Sequence, residues 1–148
     1  MEKKKTIILS WGVTVFAALC GLVAFCMIFI RSVITPFRLQ ESFTGLQVAL
    51  GYSINNQPVF TASAGILLAY LFPLIGACVS VIGKGFKIPT LVAAAMMITG
   101  GALAFSTVQL LRNAIYIGTP SLAAGPIVAG IFALLGGLTL TGSIFLKD

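Results

Sequence analysis

The stretch GPIVAGIFALLGGLTLTGSIFL, residues 125–146, decides the fold of this chain. It contains no charged side chain, and as a helix it is long enough to cross a hydrocarbon core of about 30 Å. Small residues recur in it at every fourth position, which predicts a groove along one side of the helix where another backbone can pack closely. These groove residues are Gly125, Ala129, Ala133, Gly137 and Thr141.

The composition of the whole chain indicates that the bilayer is its solvent. Of 148 residues, 59% are hydrophobic and 8% are charged, and the mean hydropathy is +1.11. A soluble domain carries about 25% charged residues, so the polar side chains here are too few to cover a surface that faces water. Further apolar runs occupy residues 6–30, 59–83 and 88–111. The sequence therefore predicts a single domain over residues 1–148, an all-α integral membrane protein with a four-helix bundle.

The second span, 59–83, carries its own stripe of small residues. Gly65, Ala69, Pro73 and Ala77 recur at every fourth position, and we expect this groove to match that of the last span. Pro73 removes one backbone hydrogen bond and is expected to kink the helix. A tight turn follows, in which Gly83 or Gly85 is suited to the left-handed conformation that ends a helix, and Pro89 suits the first turn of the third span.

The longest polar region, residues 31–58, admits two interpretations. Leu39, Phe43, Leu46 and Leu50 share one helical face, which favours an amphipathic helix over 37–50 on the membrane surface, with a turn at 53–58. The competing interpretation is a hairpin with strands 46–54 and 59–63 around residues 55–57. A loop of this length is where functional residues are expected.

The basic residues predict the orientation, because they lie mainly at the ends of the apolar runs. Lysines 3, 4, 5, 84, 87 and 147 fall on one side, and Arg31, Arg38 and Arg112 fall on the other. The side richer in basic residues is expected to be cytoplasmic. We therefore predict a multi-pass protein of the cell membrane with cytoplasmic N- and C-termini and a long first extracellular loop. Basic residues placed at span ends do not form the basic face that nucleic acid requires.

Four spans with a long first outer loop give a layout that resembles the tetraspan topology of claudin-like proteins. Claudins carry a Trp-Gly-Leu-Trp motif and a pair of cysteines in that loop, whereas residues 31–58 contain neither Trp nor Cys. The resemblance covers the topology alone. We carry no functional residue across from that family.

The residue types that carry chemistry are scarce. The chain has no histidine, its acidic residues Glu2, Glu41 and Asp148 are widely separated, and no charged side chain falls within the apolar runs. We therefore predict that the protein is not an enzyme and has no catalytic, metal-binding or cofactor-binding residues. The three cysteines all lie in apolar runs and are expected to be small buried hydrophobic residues.

One candidate contact with a ligand lies near the outer ends of the spans. Arg31, Arg112 and Gln109 are candidates for binding an anionic headgroup or a solute. The alternative is that the arginines reach to lipid phosphate in the ordinary way and that Gln109 makes an interhelical hydrogen bond. Both interpretations rest on the same residues.

These observations predict a protein that acts by helix–helix association. Its partners would be the lipid bilayer and either further copies of itself, as a homo-oligomer, or another membrane-protein subunit. A small channel or facilitator for a solute is the alternative, because a hydrophobic constriction can gate a pore without charges. A channel needs a polar stripe through the full depth of the bundle, and the sequence has one only near residues 99–109.

Overall fold

The computed structural model describes residues 2–35, 42–54, 56–111 and 120–145, and it is mostly helical. Its helices are α1 (Glu2–Cys26, followed by a 3-10 turn at Met27–Phe29), α2 (Gly45–Leu50), α3 (Ala64–Ile82), α4 (Lys87–Phe105), α5 (Thr107–Leu111) and α6 (Ala124–Phe145). Four stretches are long and apolar enough to cross a membrane: Ser10–Phe29, α3, α4 and α6. The prediction of four transmembrane helices is confirmed at this level.

The turn between α3 and α4 follows from its glycines. The Gly83 N–H donates to the carbonyl of Val79 and closes the last turn of α3. Gly85 has φ +98°, a left-handed conformation that costs glycine little because it has no Cβ. Pro89 lies in the first turn of α4, where its missing N–H leaves no hydrogen bond unmade. The sequence thus predicted this connection, with Gly85 as the left-handed residue.

The four spans form a ring in which consecutive helices are neighbours. α3 packs against α1 and α4, and α6 packs against α4 and α1, so α3 and α6 lie diagonally across the bundle. The prediction that the grooves of the second and last spans match each other is therefore wrong. A turn of four residues, 83–86, keeps α4 beside α3, and strand pairing holds the start of α6 beside the end of α1.

Short strands form a layer at one end of the bundle, which corrects the all-α prediction. β1 (Arg31–Ile34) is the middle strand between β2 (Ser42–Thr44) and β5 (Ser121–Leu122), and both pairs are antiparallel. β3 (Tyr52–Ile54) and β4 (Gln57–Phe60) form a separate antiparallel hairpin. In these strands, the backbone N–H and C=O groups next to the helix ends form hydrogen bonds with a neighbouring strand.

Each interpretation of residues 31–58 is correct in part. In the described part of 37–50, the helical portion is α2, which Thr44 and Gln47 begin with a capping box and Gly51 ends at φ +87°. Residues 36–41 lie outside the described residues. The hairpin is present as β3 and β4, shorter than expected, with Asn56 in the left-handed region at φ +64°. The capping box of Thr44 and Gln47 fixes where α2 begins, and the positive φ of Gly51 fixes where it ends.

The strand layer is packed onto the helices beneath it. Val33, Phe43 and Phe60 from the strands, with Val48 of α2, are buried against α3, α1 and α6. The α3 residues of this cluster are Ile66, Ala69 and Tyr70. The backbone N–H of Ser63 donates to the carbonyl of Ala49, which ties α2 to the start of α3. A second cluster of buried side chains fills the other half of the bundle: Ala17, Cys20, Ala93, Ala94, Met97 and Leu140.

Candidate functional site

The groove of small residues on α6 is filled by the chain's own helices. A Cβ added at Gly125 would lie 2.8 Å from the carbonyl oxygen of Arg31, and one added at Gly137 would lie 2.6 Å from Cγ1 of Ile98. Ala129 and Ala133 are fully buried, and the half-buried Thr141 donates its hydroxyl to the carbonyl of Gly137. These residues therefore allow α6 to approach α1 and α4 within one chain.

The stripe on α3 is likewise occupied within the chain. Ala69 and Ala77 are buried, and Gly65 is half-buried against the side chain of Leu110. Two glycines of neighbouring helices also approach this stripe closely. A Cβ at Gly21 of α1, a residue that the sequence did not single out for packing, would lie 2.5 Å from the carbonyl oxygen of Pro73, and one at Gly100 of α4 would lie 2.5 Å from Cδ of Pro73. The signal available for Gly21 was one of two glycines in the first span, Gly12 and Gly21, and a glycine by itself does not identify the helix that it meets.

Arg31 and Gln109 are exposed side chains on different elements, β1 and α5. No hydrogen bond joins their side chains in the described parts of the chain. Arg112 lies outside the described residues. Binding of an anionic headgroup or solute by these three residues therefore stays a prediction.

A buried polar pair that the sequence did not indicate links the strand layer to the bundle. The hydroxyls of Ser32 in β1 and Tyr70 in α3 are 3.2 Å apart, and both residues are fully buried. Gly45 leaves the room that the pair needs, because a Cβ there would lie 3.0 Å from the Tyr70 hydroxyl oxygen. The hydrogen bond offsets the cost of removing two hydroxyls from water, so it stabilises the seating of β1 on α3.

The cysteines are only partly as expected. Cys20 is buried, but Cys26 and Cys78 are exposed on the surface of the bundle. The prediction of burial is therefore wrong for these two. An apolar run indicates only that a residue lies in the membrane. The rotation of the helix about its axis determines whether the side chain packs against protein or faces lipid.

The outward face of α4 differs from those of the other spans. Between Val92 and Phe105, the exposed residues of α4 are Ala95, Thr99 and Ala102. In the other spans the exposed positions include large side chains, such as Leu19 and Leu22 on α1 and Ile131, Leu135 and Leu138 on α6. The middle of α4 therefore presents a shallow depression flanked by larger side chains, and this depression is the candidate site.

The hydroxyls along this face already have hydrogen-bond partners. Thr99 donates to the carbonyl of Ala95 at 2.8 Å, and Ser106 donates to the carbonyl of Ala102 at 3.0 Å. A neighbour could therefore cover the face without leaving a polar group unsatisfied. The small-residue pattern of α4 was visible in the sequence, but its outward orientation was not.

Among the described residues, no three His, Cys, Asp or Glu side chains are grouped so that they could hold a metal ion. Comparison with protein-family models, with curated proteins and with solved structures finds no match to this chain. The function is therefore inferred from the geometry of the chain itself.

Proposed function

We propose that the protein acts by helix–helix association in the cell membrane, without catalysing a reaction. It would serve as a homo-oligomeric scaffold or as an accessory subunit of a membrane complex. The termini would be cytoplasmic and the strand layer extracellular, as the distribution of basic residues favours.

The observation that carries this proposal is the outward face of α4. Ala95, Thr99 and Ala102 span about 10 Å of the helix axis at 1.5 Å per residue, and they remain exposed in the single chain. Lipid tails are as apolar as leucine, so a membrane helix gains little by hiding large apolar side chains. It gains from close van der Waals contact, which small side chains permit. A second helix laid over α4 would find this contact, whereas over the bulkier faces it would not.

The interior of the bundle supports association more than conduction. Its described core contains Ala17, Met97, Ala133 and Leu140, which are all fully or almost fully buried. The buried hydroxyls of Thr14, Ser80, Thr90 and Thr107 each donate to a backbone carbonyl three or four residues earlier in the chain. The buried hydroxyl of Tyr70 pairs with that of Ser32. Such hydroxyls are not arranged to replace the hydration shell of a solute. The channel alternative therefore has little support from the described residues.

The test is the mass of the protein in lipid discs, measured for the wild type and for Thr99→Leu. A leucine at position 99 places a large side chain in the middle of the α4 depression and holds a neighbouring helix away. We expect a defined oligomer for the wild type and weaker association for Thr99→Leu by about tenfold, which corresponds to about 1.4 kcal/mol. The matched control is Gly142→Leu on α6, because a Cβ at Gly142 meets no atom within 4 Å.

The outcomes separate the two forms of the proposal. A wild-type oligomer that Thr99→Leu weakens and Gly142→Leu leaves intact supports homo-association through α4. A monomeric wild type that is crosslinked in native membranes through a probe at position 99, and not through one at position 142, supports an accessory subunit. A monomer that captures no partner at position 99 would contradict both forms.

A further inference from the structure

The short helix α2 presents two leucines that the rest of the chain leaves exposed. Leu46 and Leu50 are one helical turn apart, so they share a face, and they are 36% and 59% exposed. The other face of the helix, with Val48 and Ala49, is buried against the bundle. The segment 42–63 contains no charged residue, so no charge next to this face in the sequence has to stay in water.

The beginning of α2 is fixed at the end of the first span. The Gly45 N–H donates to the carbonyl of Ile30 at 3.2 Å, and a Cβ added at Gly45 would lie 3.1 Å from Cα of Ile28. Phe29 and Ile30 are themselves exposed, and Phe29 is the last residue of the apolar span Ser10–Phe29. The leucine face of α2 therefore begins where the exposed apolar surface of this span ends.

The two long helices beside α2 give its depth in a bilayer. At the opposite end of the bundle Trp11 lies against Lys84, and tryptophan beside lysine at the end of an apolar span lies at the level of lipid headgroups. From Trp11 to Ile28 the first span rises about 26 Å. α3 is about 27 Å long, and the Ser63 N–H at its start donates to the carbonyl of Ala49 at the end of α2. The hydrocarbon core is about 30 Å thick, so both helices place α2 at its far edge.

The terminal backbone groups of α2 have partners within the protein. The Gln47 N–H donates to the hydroxyl oxygen of Thr44, and the Thr44 N–H donates to Oε1 of Gln47. The Gly45 N–H and the Ala49 carbonyl have backbone partners. An unpaired backbone group is costly where water is scarce, so a helix of six residues needs such partners to lie at the edge of the hydrocarbon core.

We propose that the exposed face of α2 anchors the strand layer to the membrane and is covered by acyl chains of the leaflet on that side of the bundle. Leu46 and Leu50 insert between the lipids, so the strand layer lies against the headgroups instead of projecting into water. The partner is the bilayer itself, without selection of a headgroup, because the face carries no charge. This anchor lies on α2 and does not depend on association through α4.

Spin labels locate the face directly. In the full-length protein with its three cysteines changed to alanine, Leu46→Cys and Leu50→Cys are each labelled with a nitroxide in phosphatidylcholine vesicles. The references are Leu138→Cys, exposed within a span, and Asn56→Cys, exposed in the turn between β3 and β4. Oxygen concentrates in hydrocarbon, whereas a polar nickel chelate stays in water. We expect the ratio of oxygen to nickel collision rates at positions 46 and 50 to exceed that at 56 by about tenfold and to approach that at 138.

Substitution tests whether the apolar character of the face keeps α2 in place. Leu46→Asn with Leu50→Asn removes apolar surface from lipid, and we expect hydrogen exchange of the α2 amides in lipid discs to become about tenfold faster. The matched control is Leu46→Met with Leu50→Met, which keeps an apolar face of similar volume and is expected to retain slow exchange. Circular dichroism checks that both variants keep the helical bundle.

The proposal is overturned if water or protein is found at this face. Nickel collision rates at positions 46 and 50 that equal the rate at 56 show that α2 faces water. Low collision rates for both reagents show that protein covers the face, and spectral broadening by a second label then assigns it to a further copy of the chain. Equal exchange of the α2 amides in the asparagine variant and the wild type, or in the asparagine and methionine variants, shows that lipid does not hold α2.

Discussion

Replacing Gly21 with alanine tests whether close contact between α1 and α3 stabilises the bundle. The added Cβ would lie 2.5 Å from the carbonyl oxygen of Pro73 and 2.7 Å from Cβ of Ala77. Ordinary contact begins at 3.4 Å, so the nearer atom is too close by about 0.9 Å. Neither obstacle can rotate away, because one is backbone and the other is the first carbon of a side chain. The two helices must separate, and contacts along their interface weaken.

The expected cost is about 2–3 kcal/mol in the free energy of unfolding, as for overpacking in other well-packed cores. The matched control is Gly12→Ala on the same helix, because a Cβ at Gly12 meets no atom within 4 Å. Both substitutions gain up to about 1 kcal/mol of helix propensity, so the difference between them isolates the packing cost. Reversible unfolding in mixed micelles, followed by far-ultraviolet circular dichroism, measures both values.

A second substitution identifies the contact responsible. Ala77→Gly combined with Gly21→Ala removes one obstacle and leaves the carbonyl of Pro73. In a double-mutant cycle, which cancels the helix-propensity cost of Ala77→Gly measured alone, we expect a favourable coupling of about 1 kcal/mol and not of the full loss. If the free energies of unfolding of Gly21→Ala and Gly12→Ala differ by less than about 0.5 kcal/mol, the close contact of Gly21 with Pro73 does not stabilise the bundle as proposed.

Two further predictions concern the strand layer. Tyr70→Phe leaves the buried hydroxyl of Ser32 without its partner and is expected to cost about 1–3 kcal/mol of unfolding free energy. The control is Tyr52→Phe, at an exposed tyrosine, for which the same measurement should show a change below about 0.5 kcal/mol. Equal losses in the two variants would contradict a specific role for the pair. In a background with Cys20, Cys26 and Cys78 changed to alanine, Ile34→Cys with Ser121→Cys is expected to form a disulfide on mild oxidation, because these residues are register partners. The pair Ile34→Cys with Phe86→Cys spans the bundle and should remain reduced, so a gel shift in this control, or none in the first pair, would contradict the pairing of β1 with β5.

The sequence predicted four apolar helical stretches, whose ends differ by one to six residues from those of the helices, because each depends on a property of its own stretch. A run such as 125–146 partitions into hydrocarbon whatever its neighbours are, and it appears as α6, Ala124–Phe145. The turn at Gly85 was predictable for the same reason, because a left-handed backbone favours glycine locally. The small residues of α6 were interpreted as positions of close packing, but their spacing does not identify the helix that packs there.

Residues that depend on distant contacts were not predictable. The Ser32–Tyr70 pair joins positions 38 residues apart, and neither side chain belongs to a periodic pattern that would mark it. The outward face of α4 and the exposure of Cys78 both depend on how each helix is rotated in the bundle. The rotation of each helix about its axis is determined by the packing of all four spans together, so the sequence of one helix does not predict it.

The sequence alone was enough to identify four stretches that are long and apolar enough to cross a membrane, because the bilayer acts on each apolar run independently. Only the tertiary structure decided that α3 and α6 lie diagonally, that β1 pairs with β5 across 87 residues at Ile34 and Ser121, and that α4 turns its small residues outward. These features depend on contacts between distant parts of the chain. Such contacts stabilise the fold only when both partners are in place, so a pattern within one stretch of sequence does not predict them.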